Sequence, residues 1–264
     1  MKVPADLQRF GLQSPRKPAR RRLVCTSEGG PGTGKTDLFY RTFPRPALVI
    51  DLDLNGSAIE ERHLDDDVLI KRVVVPPLIH KTEDRRKQDE VLFAEVRDLY
   101  RAAIEKDYFR SYMIDNGTAL YDLCRRAYLT DLDFGAAPQT SYVGINSVMS
   151  RFYQLAKQHR CTLYIPHRQT EERVESYTKA GKKTSTPTGE LKYSGWKNAL
   201  YESSLHLLLT KDPKHQGKTE MFDCQIVKCS SNHRVEGLLL TGNDITYRNL
   251  GMLAYPQSEE SEWV

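Results

Sequence analysis

Apolar and polar positions follow two alternating patterns along this chain. Short continuous apolar runs suit strands covered on both faces. Between them lie segments whose apolar residues recur at helical spacing, as in helices packed over a sheet. Residues 23–26 form the first run and predict a strand. A glycine-rich segment follows at 28–34, and a helix is expected from 35 to about 41, ending before Pro44. Residues 47–52 read as a buried strand. Residues 68–75 read as another, closed by Pro76 and Pro77. Leu92, Val96, Leu99 and Ala103 mark one face of a long helix over about 83–106, with Glu83 and Asp84 well placed in its first turn. Residues 112–115 predict a short strand ending in a carboxylate. Residues 117–128 predict a helix with Leu120, Leu123 and Ala127 on one side, and 129–142 a loop. Ile145, Val148, Phe152 and Leu155 define a further helix, and 161–166 a strand that ends at His167. Residues 176–195 are polar, glycine-containing and basic, and read as a long loop or loose hairpin. The remainder is β-rich at 205–210, 221–228, 235–240 and 245–247, with a turn at Asn243-Asp244. This order predicts an α/β fold: a mostly parallel central sheet with helices on both faces, extended by the strands after 204.

A length of 264 residues accommodates one such core with a long insertion, and not two full-size domains. Hydrophobic residues make up 39% and charged residues 28%, an ordinary water-soluble composition. The longest apolar run, near 73–79, is broken by prolines and too short to span a membrane. The N-terminus lacks the apolar stretch of an export signal, so a cytoplasmic location and no membrane partner are expected. Cys25, Cys124, Cys161, Cys224 and Cys229 are scattered and odd in number, which argues against a disulfide framework. The spacing of Cys224, Cys229 and His233 fits no common zinc pattern. The net charge of +4 is unevenly spread. Residues 1–22 carry seven Lys/Arg against Asp6 alone, while the last eight residues carry Glu259, Glu260 and Glu262 and no base. A basic arm and an acidic tail suit a protein that handles nucleic acid, and equally suit two plain solvated termini.

Gly29-Gly30-Pro31-Gly32-Thr33-Gly34-Lys35-Thr36 satisfies the Walker A pattern between a predicted strand and a predicted helix. Glycines let the backbone curl so that successive N–H groups face phosphate oxygens at a helix N-terminus. Lys35 adds a point charge for the β- and γ-phosphates, and the Thr36 hydroxyl is a hard ligand for Mg²⁺. ATP and Mg²⁺ are the expected cofactors. Asp115 ends an apolar strand, where a carboxylate completes the metal shell; the competing reading is a helix cap, for which Asn116 is the better candidate. Asn116 cannot accept a proton, so a water-activating base must come from elsewhere. Asp53, just beyond the strand 47–52, is the candidate, with Asp51 second. Both also suit the turn chemistry of residues 51–56.

With these residues placed, the chain resembles the RecA-like P-loop ATPases. It is most similar to small single-domain phage proteins described as AAA or RecA-like nucleotide-binding proteins, which serve recombination and replication. The resemblance covers roughly residues 22–250 in order of elements, though its sharp motifs are few. It implies a three-layer RecA-like domain over 22–254, between a flexible basic arm (1–21) and an acidic tail (255–264). In that family a carboxylate two residues past the strand aspartate activates water. The matching position is Asp53, where the family usually has glutamate. His167 matches the family's γ-phosphate sensor at a strand end. Lys228 matches a late lysine that reaches a neighbouring subunit's nucleotide, and Arg234 its partner arginine, at wider spacing than usual. This implies a homo-oligomer or filament. The resemblance also implies that the cytoplasm is that of a phage or bacterial host.

Residues 176–197 hold Lys179, Lys182, Lys183, Lys192 and Lys197 against Glu190, with Tyr177, Tyr193 and Trp196 interleaved. Cations and aromatic faces suit single-stranded DNA, and the family places a DNA-contacting loop here; a solvated connector with Trp196 in the core is the alternative. The leading expectation is an ATPase that couples ATP binding and hydrolysis to single-stranded DNA binding in phage-type recombination or replication, alongside a replication or recombination partner. The second is a nucleotide-switched helicase loader or scaffold with little turnover.

Overall fold

A computed structural model describes residues 21–54, 59, 61–63, 67–76, 83–129, 141–177, 183–211 and 222–263. Among the described residues, nine strands form one sheet in the order β3-β2-β4-β5-β1-β7-β8-β9, with β6 paired to β5 off this path. The strands are β1 (Val24–Gly29), β2 (Ala47–Asp51), β3 (Val68–Arg72), β4 (Ser111–Asp115), β5 (Thr162–Tyr177), β6 (Lys183–Ser194), β7 (Leu205–Lys211), β8 (Phe222–Cys229) and β9 (Leu239–Thr241). The pairings from β3 across to β7 are parallel, and those of β6, β8 and β9 antiparallel. The main helices are α1 (Lys35–Thr42), α2 (Glu83–Glu105), α3 (Gly117–Tyr128), α4 (Ser141–His159), α5 (Ala199–Glu202) and α6 (Tyr247–Ala254). The described residues thus form a three-layer-like α/β fold around a mixed, mostly parallel sheet.

The continuous apolar runs arise because both faces of the central strands are covered. Within each strand, successive side chains point to opposite faces. Leu48 and Ile50 of β2, Tyr112 and Ile114 of β4, and Leu163 and Ile165 of β5 pack with α2, α3 and α4. Val49, Met113 and Tyr164 point the other way and pack with Leu38 and Phe39 of α1, Phe43 just past its end, and Tyr247 and Leu250 of α6. This alternation decides which polar residues at the strand ends can meet.

Two expectations change and one is narrowed. Residues 176–195, read as a long loop or loose hairpin, belong mainly to an extended hairpin. β5 leaves the sheet centre and continues to Tyr177, pairing with β6 from Arg168↔Ser194 to Tyr177↔Lys183, with an irregularity between Glu171 and Arg173. Residues 245–247 lead into a helix and form no strand: the Thr246 hydroxyl caps α6 by accepting from the Asn249 amide at 3.1 Å, and Tyr247, Leu250 and Ala254 bury one face. The predicted strand 235–240 is mostly turn, and only residues 239–241 pair with β8.

The acidic C-terminal segment lies on the body. Trp263 is buried against Tyr247 and Tyr255, its indole N–H donating to Ser258 Oγ at 2.8 Å. Arg21 donates to Glu262 at 2.7 Å. Residues 1–20 lie outside the described residues.

Candidate functional site

β1 delivers Gly29 to the edge of the sheet, and the chain curls back before α1. Gly34 enters α1 in the left-handed region with φ 81°, and a Cβ there would stand 2.2 Å from the Phe222 ring. Only glycine satisfies both conditions. Thr33 closes the turn, its hydroxyl donating to Gly30 O at 2.9 Å. Lys35 follows with its ammonium curled over the loop: Nζ donates to Gly29 O and Gly30 O, each at 2.7 Å. Burial pushes its pKa down to about 8; the charge of Asp115 opposes this and that of Arg168 adds to it.

Thr36 and Asp115 meet because both lie on the α1 side of the sheet. Asp115 shares parity with Met113, which packs on that face. The Thr36 hydroxyl donates to Asp115 Oδ2 at 2.6 Å. Asp115 is 9% exposed. Burial raises its pKa to about 6; the Thr36 hydrogen bond opposes the rise, the Asp51 carboxylate adds to it and Lys35 opposes it. Asp51, also buried, shapes the turn. Its Oδ1 accepts from the amides of Asp53 and Leu54 at 2.9 and 2.8 Å, so it acts here as the turn-former. The turn presents Asp53 to the cleft.

Asn116 links the strand to the turn. Its Oδ1 caps α3 by accepting from the Ala119 amide at 2.8 Å, and its Nδ2 donates to Asp53 Oδ2 at 2.9 Å. The other oxygen of Asp53 is ion-paired with Arg168. Residues of the glycine loop (Gly29, Pro31, Gly32, Thr33, Gly34), together with Lys35, Thr36, Asp53, Ile59, Asp115, Asn116, Arg168 and Gln169, line one cleft of about 630 Å³. The structure therefore brings the loop, both candidate metal ligands and the candidate base together.

His167 does not face this cleft. On β5 it shares parity with Leu163 and Ile165, so it points beneath α3. It is fully buried: an added Cβ on Gly117 would stand 2.3 Å from its ring, and the Tyr193 ring lies 4.8 Å away. Neither ring nitrogen has a hydrogen-bond partner, and burial, with the charge of His206 adding, lowers its pKa to about 3. The residues of that strand end that reach the cleft are Arg168 and Gln169. The signal that finds Arg168 is the period-two alternation itself, since Tyr164 of the same parity faces α1. Glu28 was also missed. Its carboxylate accepts from Gln169 Nε2 at 3.2 Å and lies 3.0 Å from His206 Nε2, and His206 Nδ1 lies 2.9 Å from Thr26 Oγ1.

Lys228 and Arg234 lie elsewhere. The pairing of Lys228 with His206 and of Cys229 with Leu205 takes β8 toward the end of the sheet opposite the glycine loop. Lys228 Nζ donates to Leu200 O and, at 3.1 Å, to Ser203 O, around the end of α5. Arg234 is exposed in a turn. Of the hairpin residues, Lys192 is exposed and 3.7 Å from Glu172, and Lys197 is exposed. Tyr193 donates from its hydroxyl to Trp196 O at 3.1 Å, and Trp196 is buried; these two rings brace the hairpin base. Lys183 lies at the start of β6, and Lys179 and Lys182 fall outside the described residues.

A hydroxyl and a carboxylate 2.6 Å apart are hard oxygen donors of the kind Mg²⁺ takes, and too few to hold it without further oxygens. Among the described residues no group of three or more His, Cys, Asp or Glu is arranged to hold a metal by itself. No described helix is long and apolar enough to cross a membrane. In comparisons with known proteins, no family model matches the chain and no curated protein matches it significantly.

Proposed function

We propose that the cleft binds a nucleoside triphosphate, ATP by resemblance to the RecA-like P-loop ATPases, and that this chain is an ATPase of that kind. The observation that supports it best is the pairing of a G-x-x-x-x-G-K-T loop with a buried carboxylate on the same side of the sheet, joined by the Thr36–Asp115 hydrogen bond. The loop amides and the start of α1 favour a polyanion. The ammonium of Lys35, resting on two loop carbonyls, exchanges those acceptors for phosphate oxygens. Thr36 and Asp115 would hold Mg²⁺, with the remaining oxygens from water and phosphate, and the ion supplies charge neutralisation on the phosphates. Asp53 orients or deprotonates water.

The cleft is coupled to single-stranded DNA through β5. One continuous strand carries Arg168 at the cleft and then becomes the hairpin, whose returning residues 185–192 are exposed. The resemblance points to phage-type recombination or replication and to an oligomer in which Arg234 reaches a neighbour. A second reading, a nucleotide-switched loader or scaffold with little turnover, is favoured by one observation: both oxygens of Asp53 are engaged, by Asn116 and Arg168.

Binding of a fluorescent ATP analogue with Mg²⁺, for the wild type and Lys35→Ala, tests the site. Saturable binding lost in the variant is expected; equal binding by both would remove the proposal. Phosphate release with and without single-stranded DNA separates the two readings, since a motor is stimulated by DNA and a loader is not.

A further inference from the structure

We propose that Arg168 is a catalytic residue of this cleft, supplied by the same chain, and that its guanidinium exchanges between the carboxylate of Asp53 and the terminal phosphate of the bound nucleotide. This rests on the nucleotide reading of the cleft and assigns a residue that the reading leaves without a role.

The backbone of Arg168 is fixed. In the sheet it stands beside Gly29, where the glycine loop begins, and beside Ser194, where the hairpin returns. Its amide donates to Thr118 Oγ1 at 3.0 Å, and that hydroxyl donates in turn to Ser194 O. The side chain is less confined, being 50% exposed against 20% for Asp53. A held backbone with an open side chain suits a group that changes partner without moving the strand.

The cleft offers the terminal phosphate one protein cation besides Lys35. Among the described residues lining it, Lys35 and Arg168 are the cationic ones. A triphosphate carries several negative charges, and Lys228 and Arg234 of the same chain lie outside the cleft. A planar guanidinium offers the same two-pronged donor face to a carboxylate and to a phosphate, so the two anions compete for it. When Arg168 moves to the terminal phosphate, Asp53 keeps only the Asn116 hydrogen bond and regains its capacity as a base. A water oxygen then bonds to the γ-phosphorus as the bond from that phosphorus to the β–γ bridging oxygen breaks. The water proton passes to Asp53, and the products are ADP and inorganic phosphate. Arg168 offsets the charge that builds on the transferred group.

Binding of a non-hydrolysable ATP analogue and of ADP, each with Mg²⁺, tests the assignment without relying on turnover. The proteins are wild type, Arg168→Ala, Arg168→Lys and Asp53→Asn. Arg168→Ala is expected to weaken the analogue about 10- to 100-fold and to leave ADP within about twofold. Arg168→Lys recovers part of the loss. Asp53→Asn strengthens the analogue a few-fold, because the guanidinium loses its competing carboxylate, a gain that a merely structural role would not produce. Phosphate release by Arg168→Ala falls by about 10³-fold. A wild type that binds in a Lys35-dependent way beside an Arg168→Ala protein with an unchanged analogue-to-ADP ratio overturns the assignment and leaves the nucleotide reading standing. A wild type with no Lys35-dependent binding overturns both.

Discussion

Toward the two ends of the sheet a lysine lays its ammonium on backbone carbonyls, and the two lysines are otherwise unlike. Lys35 rests on Gly29 and Gly30 in a concave wall, near Asp115 and Arg168, where the proposed nucleotide would displace the carbonyls. Lys228 rests around the end of α5, where a short helix leaves carbonyls without intrahelical partners. The contact is of the same type in both places, so the contact does not define the role. The surroundings do: an open cleft with carboxylates at one end, a helix terminus that needs closing at the other.

The largest effect expected is the contrast between the two lysines. Lys35→Ala should weaken Mg²⁺–nucleotide binding about 100-fold, while Lys228→Ala changes it less than about twofold, both measured by fluorescence titration. Equal losses would break the comparison.

Next comes Asp115→Asn. It should abolish the Mg²⁺ dependence of nucleotide affinity, read as titrations with and without the ion. Its effect on stability has the opposite sign. Folding raises the Asp115 pKa to about 6, so the native state binds more protons than the unfolded chain between about pH 4 and 6, and stability falls as pH rises through that window. Above it the buried charge is a standing cost. Asp115→Asn is therefore expected to stabilise the protein alone at pH 7 by about 1–3 kcal/mol in urea unfolding.

The same two groups set a pH window for binding. Asp115 must be ionised and Lys35 protonated, which places maximal affinity between about pH 6 and 8. Affinity should drop about tenfold by pH 5 and by pH 9, since each group is then about one-tenth in its binding form. A flat profile from pH 5 to 9 would show that neither group titrates in the site.

Lys228→Ala should lower stability by about 1 kcal/mol, the usual worth of such a hydrogen bond, seen as a lower midpoint in urea. The smallest effect belongs to the hairpin, outside both ends. Replacing Lys192 and Lys197 together by Gln should reduce the log–log salt slope of single-stranded DNA affinity by about 1.4. An unchanged slope would move DNA off this surface.

Much of the architecture was legible because it depends on short-range pattern. The runs at 47–52 and 112–115 are strands because alternate residues must be buried on two faces, and the helices at 83–105 and 117–128 follow from apolar spacing. The junction of strand, glycine loop and helix was readable from the residue types alone. The length and regularity of the hairpin, and α6, were not. Residues 185–192 are exposed throughout and carry no periodic burial, and their strand form comes from pairing with β5. At α6, a β-rich reading of 245–247 lost to the Thr246 cap and to burial against α1. Within the candidate site, the loop and Asp115 were visible, while His167 was chosen over Arg168 because its position at the strand end was weighed without its parity.

The order of residues alone determined the glycine loop, the strand ends that carry Asp53 and Asp115, and the faces of the long helices, since each follows from local backbone preference or from a period of two or 3.6. Tertiary structure decided who meets whom. Thr36 and Asp115 are 79 positions apart, and Arg168 and Asp53 are 115 apart. Their encounters depend on the order and register of strands in the whole sheet, set by packing against both helical layers, and no local stretch of chain encodes that.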